Sequence, residues 1–145
     1  MTHQVKVSLI TNDESLQAAY ALRREVFVVE QKVSLTDEFD EFEESSHHFI
    51  AMLGDVSVGA ARWRVTDHGI KLERFAVGQP HRGKGVGKAL VKAVLNHINE
   101  VHPTGKLYLH AQLEAVPLYA HFGFEIVGEQ FTECGIEHRT MELMR

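Results

Sequence analysis

A glycine-rich stretch between a strand-like run and a periodic helical run constrains the fold of this chain more than any other feature. The stretch reads Gln79-Pro80-His81-Arg82-Gly83-Lys84-Gly85-Val86-Gly87-Lys88. Upstream, apolar residues favour a strand ending at Val77, and downstream they recur at the i, i+3, i+4, i+7 spacing of one helical face. A helix N-terminus leaves backbone N–H groups without partners and carries a partial positive charge. The loop therefore predicts an anion-binding site.

Length and charge limit the classes of protein that the chain can belong to. Its 145 residues suffice for one substantial core, which predicts a single domain over residues 1–145. A formal net charge of -5 argues against a nucleic-acid partner, which requires clustered Lys and Arg. No stretch approaches the roughly 20 apolar residues of a membrane span, and the N-terminus lacks the layout of a secretion signal. Cys134, the single cysteine, fits a reducing compartment, so we expect a cytoplasmic protein without a membrane partner.

Hydrophobic periodicity and turn signals predict an α+β chain. Thr11 and Glu14 form a capping-box pattern that predicts the start of the first helix. Short turns at 54–55 and 66–69 predict an antiparallel meander of three strands. The order β-α-(α)-β-β-β-α-β-α-β-β indicates a mixed, mostly antiparallel sheet of about seven strands flanked by about four helices. The predicted elements are strand 5–9, helix 11–31, strands 49–53, 56–65 and 70–77, helix 85–101, strand 106–110, helix 115–121, and strands 124–131 and 138–143.

Residues 37–44 carry acids at six of eight positions, and two interpretations of this segment remain open. Most charge runs are solvated loops or short helices, and we favour that interpretation for most of these acids. Alternatively, the segment forms a negative rim that attracts a cationic substrate. Phe39 and Phe42 indicate that the segment packs back onto the body of the protein.

Three phosphate-binding motifs can be compared in the glycine-rich loop. The spacing from Gly78 to Gly85 nearly satisfies a P-loop, but Gly85 stands where Ser or Thr would ligate magnesium. The dinucleotide pattern fails because Lys88 occupies the position of its third glycine. The pattern Arg82-x-x-Gly85-x-Gly87, after a strand and opening a helix, does fit. A nucleotide-hydrolysing P-loop is thus the least favoured hypothesis.

In that context, the Arg82-x-x-Gly85-x-Gly87 pattern resembles the acetyl-CoA site of the GNAT superfamily of N-acetyltransferases. Further segments resemble the ElaA/YjcF subgroup of that superfamily. The resemblance covers most of the chain and implies a GNAT-like fold with acetyl-CoA as cosubstrate. The segments are Phe27-Val28-Val29-Glu30-Gln31, Leu72-Glu73-Arg74-Phe75-Ala76-Val77, Ala111-Gln112, Tyr119-Ala120-His121-Phe122-Gly123-Phe124 and Phe131 to His138.

The resemblance also implies where the cosubstrate binds. The strands ending at Val77 and His110 are expected to splay apart and form the acyl-CoA cleft. Backbone groups of Phe75, Ala76 and Val77 are expected to pair with the pantetheine arm. Gln112 is assigned to the same site. Backbone N–H groups of the loop would bind the pyrophosphate, and the residues so assigned are Arg82, Gly83, Lys84, Gly85, Val86, Gly87 and Lys88.

Acetyl transfer needs a neutral amine, a stabilised oxyanion and a proton for the departing thiolate. Tyr119 lies where many members of the superfamily place the general acid, and a phenol is suited to protonating a thiolate; the alternative is a core aromatic. Glu73 is the candidate for a base or for a group that holds water, and the alternative is a structural partner of Arg74. A histidine or water could serve as the base instead.

The acceptor side is predicted from charge and chemistry. Glu30, Asp40 and Glu133, together with Asp37, are expected to hold or attract the amine. His110 and His138 are candidates to bind substrate or accept a proton. No paired Cys/His spacing is present, so we expect no metal. Cys134 lacks an evident base and is interpreted as a buried or loop thiol.

These observations predict an enzyme that transfers acetyl from acetyl-CoA to a primary amine of a small molecule or peptide by direct attack in a ternary complex. The alternative is a non-catalytic CoA-binding module or sensor with the same fold. Nothing in the composition names the acceptor. An apolar C-terminal strand would also allow a homodimer.

Overall fold

The computed structural model describes residues 4–145 and shows one mixed sheet with helices on its two faces. Within those residues there are seven strands and four α-helices, as the sequence predicts. The strands are β1 (Val5–Leu9), β2 (His47–Leu53), β3 (Val56–Thr66), β4 (Gly69–Val77), β5 (Leu107–Gln112), β6 (Glu125–Glu133) and β7 (Ile136–Leu143), and the α-helices are α1 (Asp13–Arg23), α2 (Leu35–Glu38), α3 (Val86–Val101) and α4 (Val116–His121).

The strand order is β1-β2-β3-β4-β5-β7-β6, and every neighbouring pair is antiparallel except β4 and β5. The predicted meander β2-β3-β4 is confirmed. The C-terminal strand β7, however, lies between β5 and β6, so its backbone is paired on both sides. The apolar C-terminal strand therefore offers no free edge for pairing with a second copy, and the homodimer stays a prediction.

The first helix differs from the prediction at both ends. Its N-cap is Asn12, whose side chain accepts the N–H of Ser15 at 2.8 Å, and not Thr11; both residue types suit that position. The α-helix ends at Arg23 and continues as a π-helix over Arg24–Glu30. Such wide turns are frequent at functional sites.

The core lies between the sheet and α3. Trp63 of β3 and Leu72 of β4 are fully or almost fully buried there, with Leu90 of α3. Alternate residues of the same strands face the other way, because successive side chains of a strand point to opposite faces. That second face is covered by α1 and by the acidic segment 37–44, and it carries the charged residues described below.

β4 and β5 separate soon after they meet. Their parallel pairing consists of Ile70 with Leu107 and Lys71 with Tyr108, although β4 runs on to Val77 and β5 to Gln112. The predicted splaying of these strands is thus present.

A bulge in β4 lies at the opening between the two strands. Arg62 pairs with Glu73 and Ala60 pairs with Ala76, so a single residue of β3 faces both Arg74 and Phe75. Arg74 has a φ of 60°, which is uncommon for a residue with a side chain. The bulge re-aims the Phe75 side chain at the mouth of the split, as bulges beside sites commonly do.

Candidate active site

Two cavities lie on either side of the split sheet and meet at four residues. The cavity beside the glycine-rich loop, here called the donor cleft, has a volume of about 470 Å³. The cavity under segment 37–44, here called the acceptor cavity, has a volume of about 300 Å³. The residues that line both are Gln31, Phe75, Ala115 and Tyr119.

The donor cleft has the geometry of an anion site. Gly85 is the N-cap of α3 with φ 82° and ψ 8°, and it provides no capping side chain. Gly83 has φ 78°, and no atom lies within 4 Å of a Cβ built at either glycine. Gly83, Gly85, Val86 and Gly87 line the cleft, so the N-terminal end of α3 borders it, which fits a phosphate group.

Most residues that the sequence assigns to the cosubstrate line this cleft. They are Phe75, Val77, Arg82, Gly83, Gly85, Val86 and Gly87. Ala76 is instead buried in a small core with Val26. Lys84 and Lys88 are exposed and lie outside the lining. Gln112 lines the acceptor cavity, where its Nε2 donates to Gln31 Oε1 at 2.8 Å.

Glu30 is an ion-pair partner at the donor cleft and does not line the acceptor cavity. Both guanidinium Nη atoms of Arg82 donate to its carboxylate, at 2.6 and 2.7 Å, while Arg82 Nε donates to the carbonyl of Val77 at 3.0 Å. The hydrogen bond from Arg82 lowers the pKa of Glu30. The position of Glu30 therefore gives no support to the expectation that it contacts the acceptor amine, because the end of the π-helix directs it at the loop.

Tyr119 lies on α4 at the junction of the two cavities. Its side chain is 7% exposed, and its ring packs edge-on against Phe75 and Phe124. Burial raises the pKa of the phenol well above its ordinary value. Within residues 4–145 the hydroxyl makes no hydrogen bond, and its raised pKa keeps it protonated at neutral pH.

One face of the sheet forms the floor of the acceptor cavity. Residues paired directly across strands lie on the same face, and the pairs Arg64 with Lys71, Lys71 with Tyr108, and Gln112 with His138 connect β3, β4, β5 and β7. Glu73 lies two residues after Lys71 on β4, and His110 lies two residues after Tyr108 on β5, so both share this face. Segment 37–44 and the turn at Cys134 complete the cavity.

Three acids of segment 37–44 are paired with arginines and are not simply solvated. Glu38 is 3% exposed and contacts Arg23 and Arg74, and Glu43 contacts Arg23 and Arg62. Asp40 receives two hydrogen bonds from Arg62, at 3.0 and 2.7 Å. Phe39 packs on the ring of Tyr20, in agreement with the prediction that the segment packs back onto the body.

The Asp40 carboxylate is hydrogen-bonded by two arginines. Burial by itself would raise the pKa of Asp40, but the hydrogen bonds from Arg62 and from the backbone N–H of Phe42 outweigh burial and lower the pKa to about 2. Arg74 Nη2 also donates to it at 3.1 Å. Its lone pairs are thus committed to donors of the protein itself, which gives no support to the expectation that Asp40 holds the acceptor amine.

Glu73 is likewise a structural carboxylate. Its Oε1 accepts from Arg62 Nε at 3.1 Å and from Arg64 Nε at 2.6 Å, and Lys71 Nζ lies 3.4 Å from Oε2. Burial opposes ionisation, yet these cations together lower the pKa of Glu73. A carboxylate held ionised by several cations is a weak base, so this environment fits the structural alternative and not a general base.

A third group of residues lies across the cavity from Glu73. His110 Nδ1 is 3.4 Å from Glu133 Oε1, and His138 Nε2 is 3.9 Å from Glu133 Oε2. His138 Nδ1 donates to the carbonyl of Ile136 at 2.7 Å, which leaves Nε2 as the acceptor nitrogen. The hydrogen bond from His110 lowers the pKa of Glu133, so the fold brings these three predicted residues together around one ionised carboxylate.

Cys134 occupies the β6–β7 turn, where it is exposed, and partial burial of its thiol raises its pKa. A raised pKa disfavours the thiolate that a nucleophile needs. No group of three or more His, Cys, Asp or Glu within residues 4–145 is arranged to hold a metal ion. In the same part of the chain, no helix is long and apolar enough to cross a membrane.

Sequence reasoning missed three residues of the site. Gln31 lies at the junction of the cavities, while Arg64 and Lys71 face each other on the floor of the acceptor cavity. The available signal was the alternation of charged and apolar residues in β3 and β4. That alternation predicts that the charged residues of β3 and β4 lie on one face of the sheet, but it does not predict whether that face is buried.

Comparison with known proteins agrees with this architecture. The family model described as "Acetyltransferase (GNAT) domain" matches residues 10–145. The chain is 39% identical over 138 residues to the uncharacterised N-acetyltransferase YjcF of Bacillus subtilis (strain 168), covering 94% of this chain and 98% of YjcF.

Two solved structures show the same fold over nearly the whole chain. Escherichia coli ElaA superimposes with a TM-score of 0.85 at 27% identity, covering 96% of this chain and 99% of ElaA. An acyl-CoA N-acyltransferase from Pseudomonas aeruginosa superimposes with a TM-score of 0.82 at 25% identity, covering 97% and 99%. The chain therefore belongs to the GNAT acetyltransferase family, within its ElaA/YjcF-like subgroup, and has the α+β GNAT fold.

Proposed function

We propose that this protein transfers the acetyl group of acetyl-CoA to a primary amine of a small molecule by direct attack in a ternary complex. Family membership supports an acetyltransferase. The observation that carries the finer proposal is the meeting of two separate cavities at Phe75 and Tyr119, because direct transfer requires donor and acceptor to reach one point from two sides.

In this proposal acetyl-CoA supplies an activated acyl thioester and the chain supplies its position. The N–H groups at the start of α3 and at Gly83 bind the pyrophosphate without a metal ion. The β4 backbone from Phe75 to Val77, which β5 does not pair, binds the pantetheine arm as an added strand would bind. The acyl group then lies at the junction beside Tyr119.

The groups of the acceptor cavity move the protons. The amine nitrogen forms a bond to the thioester carbonyl carbon, and the carbon–sulfur bond breaks. Tyr119 gives its phenolic proton to the departing sulfur, and the proton lost by the attacking nitrogen passes to His110, which Glu133 orients. Return of that proton to Tyr119 through solvent regenerates the site, so the products are an N-acetyl amine and CoA thiol.

The choice of His110 as the base follows from its surroundings. Glu73 is held ionised by cations, whereas His110 lines the cavity with a single carboxylate beside it. Imidazole is the side chain best suited to take up a proton near neutral pH. A carboxylate partner on one ring nitrogen also fixes which nitrogen is available.

The test is acetyl-CoA turnover with a panel of primary amines, read as released CoA thiol. We expect at least one amine to give turnover well above the rate of acetyl-CoA hydrolysis, with a sequential kinetic pattern in which both substrates must bind before a product leaves. A ping-pong pattern would contradict direct attack. Thermal protection by CoA, with turnover of no amine and no effect of Tyr119→Phe in any assay, would instead support the non-catalytic CoA-binding module.

A further inference from the structure

The charges around the acceptor cavity are unevenly paired. A network of mutual contacts joins five cations to four carboxylates, which leaves one positive charge in excess when all are ionised. The cations are Arg23, Arg62, Arg64, Lys71 and Arg74, and the carboxylates are Glu38, Asp40, Glu43 and Glu73.

The excess charge lies at Arg64 and Lys71. The other three arginines each contact at least two carboxylates, whereas these two residues contact only Glu73, which Arg62 also binds. Arg64 donates to Glu73 through Nε alone. Its two Nη groups make no hydrogen bond within residues 4–145, while the ring of Phe42 covers one face of the guanidinium at 3.8 Å.

Both cations face the cavity from sheltered positions. Their side chains are 15% and 16% exposed, and both line the acceptor cavity. A planar guanidinium with free Nη groups presents the fork that matches a carboxylate. An ammonium beside it adds a second positive contact for the same anion.

Negatively charged side chains also line the acceptor cavity. Asp37 and Glu133 line the cavity, and within residues 4–145 neither has an arginine or lysine within salt-bridge distance. Within 4 Å of the Glu133 carboxylate, the ionisable partners in that part of the chain are His110 and His138, and the charge of Lys71 lies further off but still lowers the pKa of Glu133. In the described part of the chain, the acceptor cavity thus presents a cationic pair that shares the single carboxylate of Glu73 with two other arginines, and two carboxylates with no arginine or lysine in contact.

We propose that the acceptor is an amine that also carries a carboxylate, as an amino acid does, with its carboxylate on Arg64 and Lys71 and its amino group at Glu133. This inference rests on the proposed acetyl transfer. A polyamine would leave the cationic pair unsatisfied and add like charge beside it. A phosphate monoester carries a charge of about -1.5 to -2 at pH 7. That negative charge is larger than the one positive charge that the network has in excess. The volume of about 300 Å³ lies at the small end of ligand pockets.

The test compares each amino acid with the amine left when its carboxylate is removed. The pairs are lysine with cadaverine, phenylalanine with phenethylamine, and histidine with histamine, and O-phosphoethanolamine is added as the phosphate arm. We expect kcat/KM for at least one amino acid to exceed that of its decarboxylated partner about tenfold or more. The decarboxylated amine lacks the carboxylate and so loses a buried charge-assisted contact. This comparison uses the unaltered protein and depends on no variant folding.

A variant of Lys71 separates recognition from catalysis. Lys71→Gln should raise KM for the preferred amino acid about tenfold and reduce the preference for the amino acid over its decarboxylated amine by a similar factor, while Lys71→Arg should keep the preference. Lys92→Gln, at an exposed lysine of α3, is the matched control and should change neither value. An unchanged preference in Lys71→Gln would contradict the proposed role of the cationic pair.

The outcomes for the inference and for the proposed function are distinct. If the decarboxylated amines or O-phosphoethanolamine react as well as the amino acids, the carboxylate inference is overturned and acetyl transfer stands. If no amine reacts, the proposed function fails. Thermal protection of the CoA-bound protein by the same amino acids then decides the inference: protection that Lys71→Gln abolishes supports it, and no protection overturns it.

Discussion

At the residue scale, identical side chains of this site have different properties because of their neighbours. Glu73 and Glu133 are both ionised and both line the acceptor cavity. Four cations lie within 4 Å of the Glu73 carboxylate, whereas among residues 4–145 the Glu133 carboxylate has only His110 and His138 as ionisable partners at that distance. The first carboxylate is therefore held by cations of the protein, and the second has no arginine or lysine in contact within the described residues.

Replacing Tyr119 with Phe tests the proposed proton donor. We expect kcat to fall about 100-fold, because general acid catalysis contributes factors of this order. Thermal stability and CoA protection should hardly change, since the hydroxyl makes no hydrogen bond within residues 4–145 and the ring is retained. Tyr20→Phe is the matched control, because Tyr20 packs against Phe39 away from both cavities, and it should keep full turnover. Equal turnover of the Tyr119 and Tyr20 variants would rule out this role.

Glu73→Gln tests whether this carboxylate is structural. We expect the free energy of unfolding, measured by urea denaturation at pH 7, to fall by about 3 kcal/mol, because the change leaves buried cations without their partner. The pKa of Glu73 is lower in the folded protein than in the unfolded chain. The carboxylate therefore stabilises the fold above the unfolded pKa of about 4.3, and this contribution is lost as pH falls through the folded pKa.

The difference in stability between the wild type and Glu73→Gln should accordingly shrink below about pH 4. A variant with unchanged stability at pH 7 that loses the acidic limb of its pH–rate profile, where protonation of a base lowers the rate, would restore Glu73 as the base.

At the element scale, the start of α3 depends on backbone geometry that only glycine adopts without strain. Gly85 has φ 82° at the N-cap, and the space around it is open. A side chain there therefore encounters no packing conflict in the free protein. Its cost is the left-handed backbone and the loss of room for a ligand.

Gly85→Ala should lower the free energy of unfolding by about 1 kcal/mol and weaken CoA binding tenfold or more. Gly105→Ala is the matched control, because Gly105 also has a positive φ and open surroundings but lies in the loop between α3 and β5. It should lose similar stability and bind CoA as the wild type does. Calorimetry measures the CoA affinity of each variant, and thermal unfolding measures its stability. Equal CoA affinity in the two variants would contradict the assignment of the loop.

At the scale of the whole molecule, the split between β4 and β5 leaves two parts of one sheet joined by few strand contacts. The parallel ladder contains two residue pairs, so a ligand bound across the split contacts both parts. We expect CoA to raise the temperature of unfolding without added magnesium and to slow hydrogen exchange in a peptide spanning residues 72–78. Peptides of β1 serve as the internal control. Protection by MgATP in place of CoA would contradict the proposal.

Much of this architecture follows from local patterns. Apolar alternation, turn residues and the helical period after Gly85 predicted the order of the strands and helices. The position of Gly85 alone separated a metal-free pyrophosphate loop from a P-loop. The cap at Asn12 and the π-helix at 24–30 were not predicted, because neighbouring residues cap equally well and a wide turn leaves no local signature.

The identity of free and paired charges was decided only by the tertiary structure. Sequence reasoning grouped Glu30, Asp40 and Glu133 as acids for an amine, and nothing in their local sequence distinguishes them. The fold commits Glu30 to Arg82 and Asp40 to Arg62, and it leaves Glu133 beside two histidines. Ion pairing depends on contacts across 22 to 52 positions of the chain, so the sequence alone determined the donor loop while the packed sheet decided the acceptor cavity.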